Sequence, residues 1–123
     1  MLKTILVVED DPTMRELLKL HLTAAGYAVR TARDGIEAGH AVLGLTPDLI
    51  ITDVRMPNMS GFELVEALRR DPALAAIPVI FLTIEGESFD RGASLGALEY
   101  LAKPIQVEVL LKKVAKHLPI AAP

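Results

Sequence analysis

Short apolar runs recur along this chain at a length that suits buried strands. Three of them, at residues 5–8, 49–51 and 79–82, are nearly continuous rather than alternating. Such runs are typical of strands that are buried on both faces of a parallel sheet. Two weaker patterns predict further strands at residues 27–31 and 99–101. The chain is therefore predicted to contain a central sheet of five strands.

The first amphipathic helix is predicted directly after the first strand. Its apolar positions have the i, i+3, i+4, i+7 spacing of a helix that packs on one side. These positions are Met14, Leu17, Leu18, His21, Leu22 and Ala25. Asp11 and Pro12 supply the start signal of the helix. Thr13 and Glu16 add a capping pair, and Gly26 supplies the stop signal.

Three further helices follow from similar signals. A second helix is predicted at residues 35–43, and a third begins at a capping box formed by Ser60 and Glu63 and ends before Asp71. The last helix shows one continuous apolar stripe, which predicts that it packs on the sheet. The stripe consists of Val107, Leu110, Leu111, Val114, Ala115 and Leu118.

Residues 86–96 form a weaker helix candidate, because each of the three glycines in this segment lowers helix stability by about 1 kcal/mol relative to alanine. With this segment included, strands and helices alternate five times along the chain. Regular alternation predicts a single α/β domain, with a doubly wound parallel sheet and five flanking helices. The domain is expected to span residues 1–118, and residues 119–123 are expected to be a tail or the start of a linker.

Composition narrows the class of protein. With 123 residues, 51% of them hydrophobic, and no cysteine, the chain is expected to form one globular domain without disulfides, which suits a cytoplasmic location. No apolar stretch approaches the ~18 residues of a membrane span, so membrane insertion is not expected. The net charge of −3 comes without a basic block, so direct nucleic-acid binding is not expected either.

Polar side chains follow four of the five predicted strands, at the edge where open parallel α/β sheets bind ligands. In chain order they are Glu9, Asp10, Asp53, Thr83 and Lys103. Three carboxylates brought together repel one another unless a cation neutralises them, and oxygen ligands favour Mg²⁺ or Mn²⁺. A carboxylate can also act as a nucleophile towards phosphorus, while a hydroxyl and an ammonium stabilise the phosphoryl oxygens. Asp53, Thr83 and Lys103 suit these three roles.

Four motifs make the chain resemble the response-regulator receiver family of two-component signalling. They are ILVVEDDP at residues 5–12, ITDVRMPNMSG at 51–61, VIFLT at 79–83 and YLAKP at 100–104. The resemblance spans residues 2–118. It implies the flavodoxin-like, CheY-like fold with strand order 2-1-3-4-5. It also implies a phosphorylation-dependent switch that catalyses only its own phosphorylation and dephosphorylation, rather than an enzyme acting on an external metabolite.

The resemblance assigns a role to each motif residue. Asp53 is the expected phosphoacceptor, and Glu9, Asp10 and Asp53 are expected to hold the metal together with the backbone carbonyl of Arg55. Thr83 and Lys103 are expected to bind the phosphoryl group. The bond between Lys103 and Pro104 is expected to be cis. Thr83 and Tyr100 match the switch positions, through which phosphorylation alters the face formed by the last two helices and the fifth strand.

Three residues near these motifs are expected to tune the reaction. Ile84 stands where the family usually has alanine or glycine, and its branched side chain is expected to crowd the route to Asp53. Arg55 lies two residues after Asp53, and Glu85 lies two residues after Thr83. As opposite charges, they are expected to pair across the mouth of the site and to slow dephosphorylation.

The resemblance also implies partners. The expected phosphodonor is a phosphohistidine on a histidine kinase or a histidine phosphotransfer protein. The output is an unidentified downstream protein, reached through the face of the last two helices and the fifth strand, and a homodimer through this face is compatible with the family. The chain would be a stand-alone receiver or a piece of a longer protein.

Three other functions match parts of the sequence pattern. A phosphate-independent pseudo-receiver that docks partners is the first, and the crowding by Ile84 keeps it open. A phosphatase of the haloacid dehalogenase type is the second, but its D-x-D-x-T loop would place glutamate at the nucleophile position, residue 9. Residues 92–96 fit the G-x-S-x-G pattern of hydrolases, but in the wrong structural context. The three histidines, His21, His40 and His117, are too widely spaced for a short chelating motif.

Overall fold

The computed structural model describes residues 2–84 and 93–120, and these form a five-stranded parallel sheet flanked by helices. The strands are β1 (Thr4–Val8), β2 (Ala28–Ala32), β3 (Leu49–Asp53), β4 (Val79–Thr83) and β5 (Glu99–Ala102). Their order in the sheet is β2-β1-β3-β4-β5, and all four pairings are parallel. The predicted strands and their order are confirmed, although β1 begins one residue before its predicted start and the other four strands end one or two residues beyond their predicted ends.

Four helices flank the sheet within the described residues. They are α1 (Pro12–Ala24), α2 (Gly35–Gly44), α3 (Gly61–Arg70) and α4 (Val107–His117). A fifth helix was predicted at residues 86–96, but residues 85–92 lie outside the described part of the chain. Ala93 and Ser94 have helical backbone geometry. No helix in residues 2–84 or 93–120 has both the length and the apolar character to cross a membrane.

The helix starts follow the predicted caps in one case and differ in another. At α3, Ser60 and Glu63 form the predicted capping box, in which each side chain accepts from the other residue's backbone N–H. At α1, the predicted start at Asp11 and Pro12 is confirmed, since the carboxylate of Asp11 caps the helix and accepts from the N–H of Thr13. The predicted capping pair of Thr13 and Glu16 is wrong. The carboxylate of Asp11 thus occupies the capping position before Pro12, which leaves Thr13 inside the first turn.

The side chains of the strands alternate between two apolar cores, one on each face of the sheet. The face under α2 and α3 buries Leu6, Val8, Ile50 and Phe81. The face under α1 and α4 buries Ile5, Val7, Ile51 and Leu82. Burial on both faces explains why these strands are continuous apolar runs in the sequence. The stripes predicted for α1 and α4 are too wide, since Leu17 and Ala115 are exposed and only the centre of each stripe meets the sheet.

Two polar contacts tie the ends of the chain's elements to the sheet. The hydroxyl of Tyr27 donates a buried hydrogen bond of 2.7 Å to the carbonyl of Leu118, just after α4. The guanidinium of Arg69, at the end of α3, donates to the carbonyls of Ala75, Ile77 and Leu95. The bonds of Arg69 fix the segments that lead into β4 and β5, and the bond of Tyr27 fixes the end of α4 beside β2.

Candidate functional site

The carboxyl ends of β1, β3, β4 and β5 meet at one edge of the sheet, around a cavity of about 230 Å³. Its polar lining includes four of the predicted site residues, which are Glu9, Asp10, Asp53 and Lys103. Glu9 and Asp10 follow β1, Asp53 is the last residue of β3, and Lys103 follows β5. Met14 and Ile84 add apolar side chains to the wall. The predicted convergence of these four residues is therefore present in the structure.

Three carboxylates form a compact acidic cluster at this edge. Glu9, Asp10 and Asp53 each offer an oxygen, and these oxygens lie within 4.8 Å of one another. Glu9 and Asp53 are buried, whereas Asp10 is exposed. Three convergent carboxylate oxygens with one side open to solvent are a donor set that suits a hard divalent cation. The cluster could therefore hold a metal ion.

Lys103 connects two of these acids. Its ammonium lies 2.6 Å from Oδ1 of Asp53 and 3.2 Å from Oε2 of Glu9. The peptide bond between Lys103 and Pro104 is cis, the geometry that the resemblance implies. The backbone N–H of Lys103 donates to the carbonyl of Thr83, so β4 and β5 are joined at the point where both enter the site. The lysine, which follows the carboxyl end of β5, thus bridges the two buried acids Glu9 and Asp53.

The electrostatics of the cluster oppose the ionisation of Asp53. Burial is the largest cause that raises the pKa of Asp53, to about 8, and Glu9 raises it further through a hydrogen bond and its charge, while Lys103 lowers it. Burial lowers the pKa of Lys103, but its contacts with Asp53 and Glu9 outweigh burial, so the net shift is upward. Lys103 therefore stays cationic, and its single charge cannot neutralise every carboxylate of the cluster.

Thr83 ends β4 with a buried side chain. Its Oγ1 makes no hydrogen bond with any described part of the chain. A buried hydroxyl without a partner is uncommon, because the loss of hydrogen bonds to water is costly. Thr83 is not among the residues that line the cavity around Asp53, so its predicted contact with a phosphoryl group stays a prediction. Ile84 follows it and is 42% exposed at the cavity wall, as the crowding prediction requires.

The main chain around Asp53 is tightly held. The hydroxyl of Thr52 donates a 2.9 Å hydrogen bond to the carbonyl of Asp53, and the N–H of Gly61 donates a 2.8 Å bond to the carbonyl of Val54. A Cβ atom added to Gly61 would overlap the carbonyl oxygen of Asp53. The start of α3 therefore lies against the end of β3, and only a glycine at position 61 permits this approach.

The predicted switch residue Tyr100 and the predicted tuning residues Arg55 and Glu85 differ in their surroundings. Tyr100 lies in β5 and is half-buried, with its ring stacked on Phe81 at a centroid distance of 5.8 Å. Arg55 is exposed and lines the cavity. Glu85 lies outside the described residues, so its predicted pairing with Arg55 stays a prediction.

The alternative motifs find no support in the geometry. Asp11, the second acid of the dehalogenase-like loop, caps α1 through the N–H of Thr13. Ser94 has helical backbone geometry, whereas a hydrolase elbow requires a strand before the serine. His117 contacts Glu99 at 3.2 Å, within a group of ion pairs to Lys113 and Lys116 on the outer side of β5 and α4. The hydrogen bond with His117 is the largest cause that lowers the pKa of Glu99, and with the contacts to Lys113 and Lys116 it outweighs burial, which raises the pKa.

Sequence reasoning missed three residues that bear on the site. Met14 was assigned only to the apolar stripe of α1, yet it lines the cavity. Arg15 donates hydrogen bonds to the backbone of the acidic loop, and nothing in the helical pattern marks it. Gly61 was noted only as the last letter of a motif. A glycine directly after the capping Ser60 was the one available signal of a close approach.

Comparisons with known proteins agree with this architecture. Residues 5–115 match the family described as "Response regulator receiver domain". The chain is 42% identical over 112 residues to the DNA-binding dual master transcriptional regulator RpaA of Synechocystis, covering 89% of this chain and 46% of RpaA. It is 43% identical over 109 residues to the sensor protein EvgS of Escherichia coli, covering 87% of this chain and 9% of EvgS.

Solved structures give the same result. The chemotaxis response regulator CheY4 of Vibrio cholerae superposes with a TM-score of 0.88 at 36% identity, covering 96% of this chain and 100% of that chain. The chain spans about half the length of RpaA, so the comparison with that regulator concerns one of its parts. The match over residues 5–115, together with the strand order and the acidic cluster, shows that the chain belongs to the response regulator receiver domain family of two-component systems.

Proposed function

We propose that this receiver domain accepts a phosphoryl group on Asp53 from a phosphohistidine, in a reaction that needs Mg²⁺. The observation that carries the proposal is the contact of 2.6 Å between Asp53 and Lys103 inside the acidic cluster. A carboxylate held beside an ammonium has both the nucleophile and a cation for the incoming phosphoryl oxygens. The buried, unpartnered hydroxyl of Thr83 supplies a further hydrogen-bond donor near the same strand ends.

The donor set suits Mg²⁺, with Mn²⁺ as a substitute. Glu9, Asp10 and Asp53 would hold the ion, and the backbone carbonyl of Arg55 would add a further oxygen. All these ligands are oxygens, and Mg²⁺ typically binds through one or two carboxylates plus phosphate oxygens. The bound ion would neutralise charge on the acids and on the phosphoryl group. A bound cation would oppose the rise in the pKa of Asp53 and favour its ionised form.

The phosphoryl transfer uses the residues in defined roles. An ionised oxygen of Asp53 attacks phosphorus, the O–P bond forms, and the P–N bond of the phosphohistidine breaks. The imidazole leaves with the electron pair of the P–N bond. It becomes neutral imidazole, either because its other nitrogen already carries a proton or because it takes a proton from solvent. Lys103 and the hydroxyl of Thr83 bind the phosphoryl oxygens as their charge develops. Water attack on the phosphorus later releases inorganic phosphate and restores the carboxylate of Asp53.

The switch would run from Thr83 to Tyr100. A phosphoryl oxygen offers the acceptor that the buried hydroxyl of Thr83 lacks, so Thr83 would move towards Asp53. Tyr100, stacked on Phe81 in the neighbouring strand, would then turn into the space that Thr83 leaves. The side chains of β5, of α4 and of the helix predicted at residues 86–96 would change their arrangement, which changes the affinity for a partner.

Partners and setting follow from this role. The proposed donor is a histidine kinase or a phosphotransfer protein. The proposed output is a downstream protein that binds the face of β5, α4 and the helix predicted at residues 86–96. A homodimer through that face is a second form of output. RpaA is named a DNA-binding regulator, but the present chain matches only part of it. We propose that the domain spans residues 1–118, that residues 119–123 are a tail or the start of a linker, and that the protein is cytoplasmic.

The test of this function is the intact mass of the wild-type chain after incubation with acetyl phosphate, with Mg²⁺ or with a chelator. A single phosphoryl adduct that requires the metal is expected. An adduct that forms equally well in chelator would contradict the metal site. If no adduct forms with acetyl phosphate or with a phosphohistidine donor, the domain is a phosphate-independent docking module instead.

The raised pKa of Asp53 predicts a pH dependence of the metal effect. The folded protein holds a proton on Asp53 up to about pH 8, whereas the unfolded chain releases it near pH 4. This carboxyl therefore stabilises the metal-free fold at low pH, and its contribution is lost as the pH rises towards 8. Mg²⁺ binds the ionised form, so its stabilisation should grow over the same interval.

Thermal unfolding at pH 5.5 and pH 8, with and without Mg²⁺, measures this effect. The rise in Tm caused by Mg²⁺ is expected to be larger at pH 8. A rise of equal size at both values would show that the metal does not compete with a proton on Asp53.

Ile84 is expected to slow the entry of small phosphodonors. It is half-exposed at the wall of the cavity that contains Asp53. Replacement by alanine removes three carbon atoms from this wall, so we expect Ile84→Ala to react several-fold faster with acetyl phosphate. The matched control is Ile36→Ala, an exposed isoleucine on α2 that lines a different groove. Equal rates in all three proteins would remove Ile84 as a gate.

A further inference from the structure

Arg15 reaches from α1 back to the loop that carries two of the three clustered acids. Its Nη1 donates a hydrogen bond of 3.0 Å to the carbonyl of Glu9 and lies 3.5 Å from the carbonyl of Asp10. Both acceptors are backbone atoms of proposed metal ligands. Arg15 itself contributes no oxygen to the cluster. Its effect on the site can therefore only come through the backbone of the loop and through its charge.

The backbone of Glu9 is held on both sides. Its N–H donates a 3.0 Å hydrogen bond to the carbonyl of Ala32 at the end of β2, and its carbonyl accepts from Arg15. The carbonyl of Glu9 belongs to the planar peptide unit that leads into Asp10. Its direction therefore sets the plane from which the Asp10 side chain starts. Asp10 is exposed, so this backbone constraint matters more for it than for the buried Glu9.

We propose that Arg15 is a positioning residue, which orients the Glu9–Asp10 peptide so that both carboxylates face the metal. The proposal rests on the metal-dependent function proposed above. Groups that orient metal ligands without touching the metal commonly lower metal affinity by about tenfold or more when they are removed. Arg15 does this through backbone carbonyls rather than through the ligand side chains.

Because Arg15 is positively charged, the direction in which metal affinity changes on its removal separates positioning from simple electrostatics. A guanidinium near the cluster repels a cation, so loss of the charge alone would tighten metal binding. Loss of the orienting hydrogen bonds would weaken it. A weaker affinity in a variant that lacks the positive charge is therefore the signature of positioning, and simple electrostatics predicts the opposite.

The chain provides a matched control for the loss of one such arginine. Nη1 of Arg30 also donates a 3.0 Å hydrogen bond to a backbone carbonyl, that of Leu45, and both arginines are half-buried. Neither arginine lines the cavity, but the acceptors of Arg15 are the carbonyls of Glu9 and Asp10, whereas the acceptor of Arg30 is remote from the acidic cluster. Arg15→Met and Arg30→Met thus lose the same charge and the same kind of contact, one beside the acidic cluster and one away from it.

The experiment is Mn²⁺ binding to the unphosphorylated chain, followed by the electron paramagnetic resonance signal of free Mn²⁺. We expect Arg15→Met to bind Mn²⁺ about tenfold more weakly than the wild type, and Arg30→Met to bind like the wild type. Arg15→Lys keeps the charge but not the planar donor group, and it should bind more weakly than the wild type. This lysine variant also carries the test if Arg15→Met does not fold.

The outcomes separate this proposal from the function on which it rests. Unchanged or tighter binding in Arg15→Met, or wild-type binding in Arg15→Lys, overturns the positioning role while the metal site stands. A wild-type chain that binds no Mn²⁺ overturns the metal site and the positioning role together. Without metal, the unfolding temperature should be lowered by a similar amount in Arg15→Met and Arg30→Met. A loss of Mn²⁺ affinity in Arg15→Met alone would then not be caused by a loss of fold.

Discussion

Replacement of Asp53 by asparagine is expected to abolish phosphoryl transfer to this chain. The amide of asparagine is not a nucleophile, and it removes one anionic oxygen from the cluster of Glu9, Asp10 and Asp53. Loss of a nucleophile reduces reaction rates by at least about 10³-fold, which places the adduct below detection. The measurement is intact mass after incubation with Mg²⁺ and either acetyl phosphate or a phosphohistidine donor.

The same substitution is not expected to unfold the protein. Lys103 keeps its contact with Glu9, and the substitution removes a buried carboxyl whose pKa is raised to about 8. In the absence of metal at pH 8, Asp53→Asn should therefore unfold at the wild-type temperature or above it. A missing adduct in a fully folded variant then reports chemistry rather than structure.

The control for this variant is an aspartate away from the cavity. Asp48 accepts a 2.8 Å hydrogen bond from the N–H of Thr4 at the opposite end of the sheet, and Asp48→Asn should be phosphorylated like the wild type. A phosphoryl adduct that persists in Asp53→Asn would show that another carboxylate accepts the group, and Asp10 would be the first to examine.

The sequence predicted the site well where its chemistry depends on strand ends. In a parallel sheet, the residue that follows each buried run must arrive at the same edge, so the meeting of Glu9, Asp53 and Lys103 follows from topology alone. The cap of α1 was predicted less well. Asp11 and Thr13 are both good capping residues, and only the structure shows that Asp11 precedes the first turn.

Contacts made by the backbone were beyond sequence reasoning. Arg15 looks like any polar residue on the outer side of a helix, because its acceptors are carbonyls that every residue has. Exposure was also misjudged at Leu17, since the helical pattern gives a direction but not the width of the contact with the sheet. These features depend on how closely one element approaches another, which the order of apolar and polar residues does not encode.

Substitution of Gly61 by alanine is expected to lower the free energy of unfolding by about 3 kcal/mol, near the upper end of the range for overpacked sites. The added Cβ would overlap the carbonyl oxygen of Asp53 and lie 3.2 Å from Cα of Val54. Both obstacles are backbone atoms, so no side chain can turn aside to make room. Either α3 moves away from β3 or the Asp53 backbone shifts, and both changes disturb the cluster. Urea unfolding measures the loss of stability.

At a glycine with free space around it, substitution by alanine is expected to raise the free energy of unfolding instead. A Cβ at Gly39, within α2, meets no atom within 4 Å among the described residues, so Gly39→Ala should stabilise the chain by about 0.5–1 kcal/mol. The phosphorylation rate separates the two sites further, because a shifted Asp53 backbone should slow phosphorylation in Gly61→Ala under conditions where the variant is still folded. If Gly61→Ala were as stable and as reactive as Gly39→Ala, α3 would not hold Asp53 in place, and the precise position of the phosphoacceptor would have to come from Thr52 and Lys103 alone.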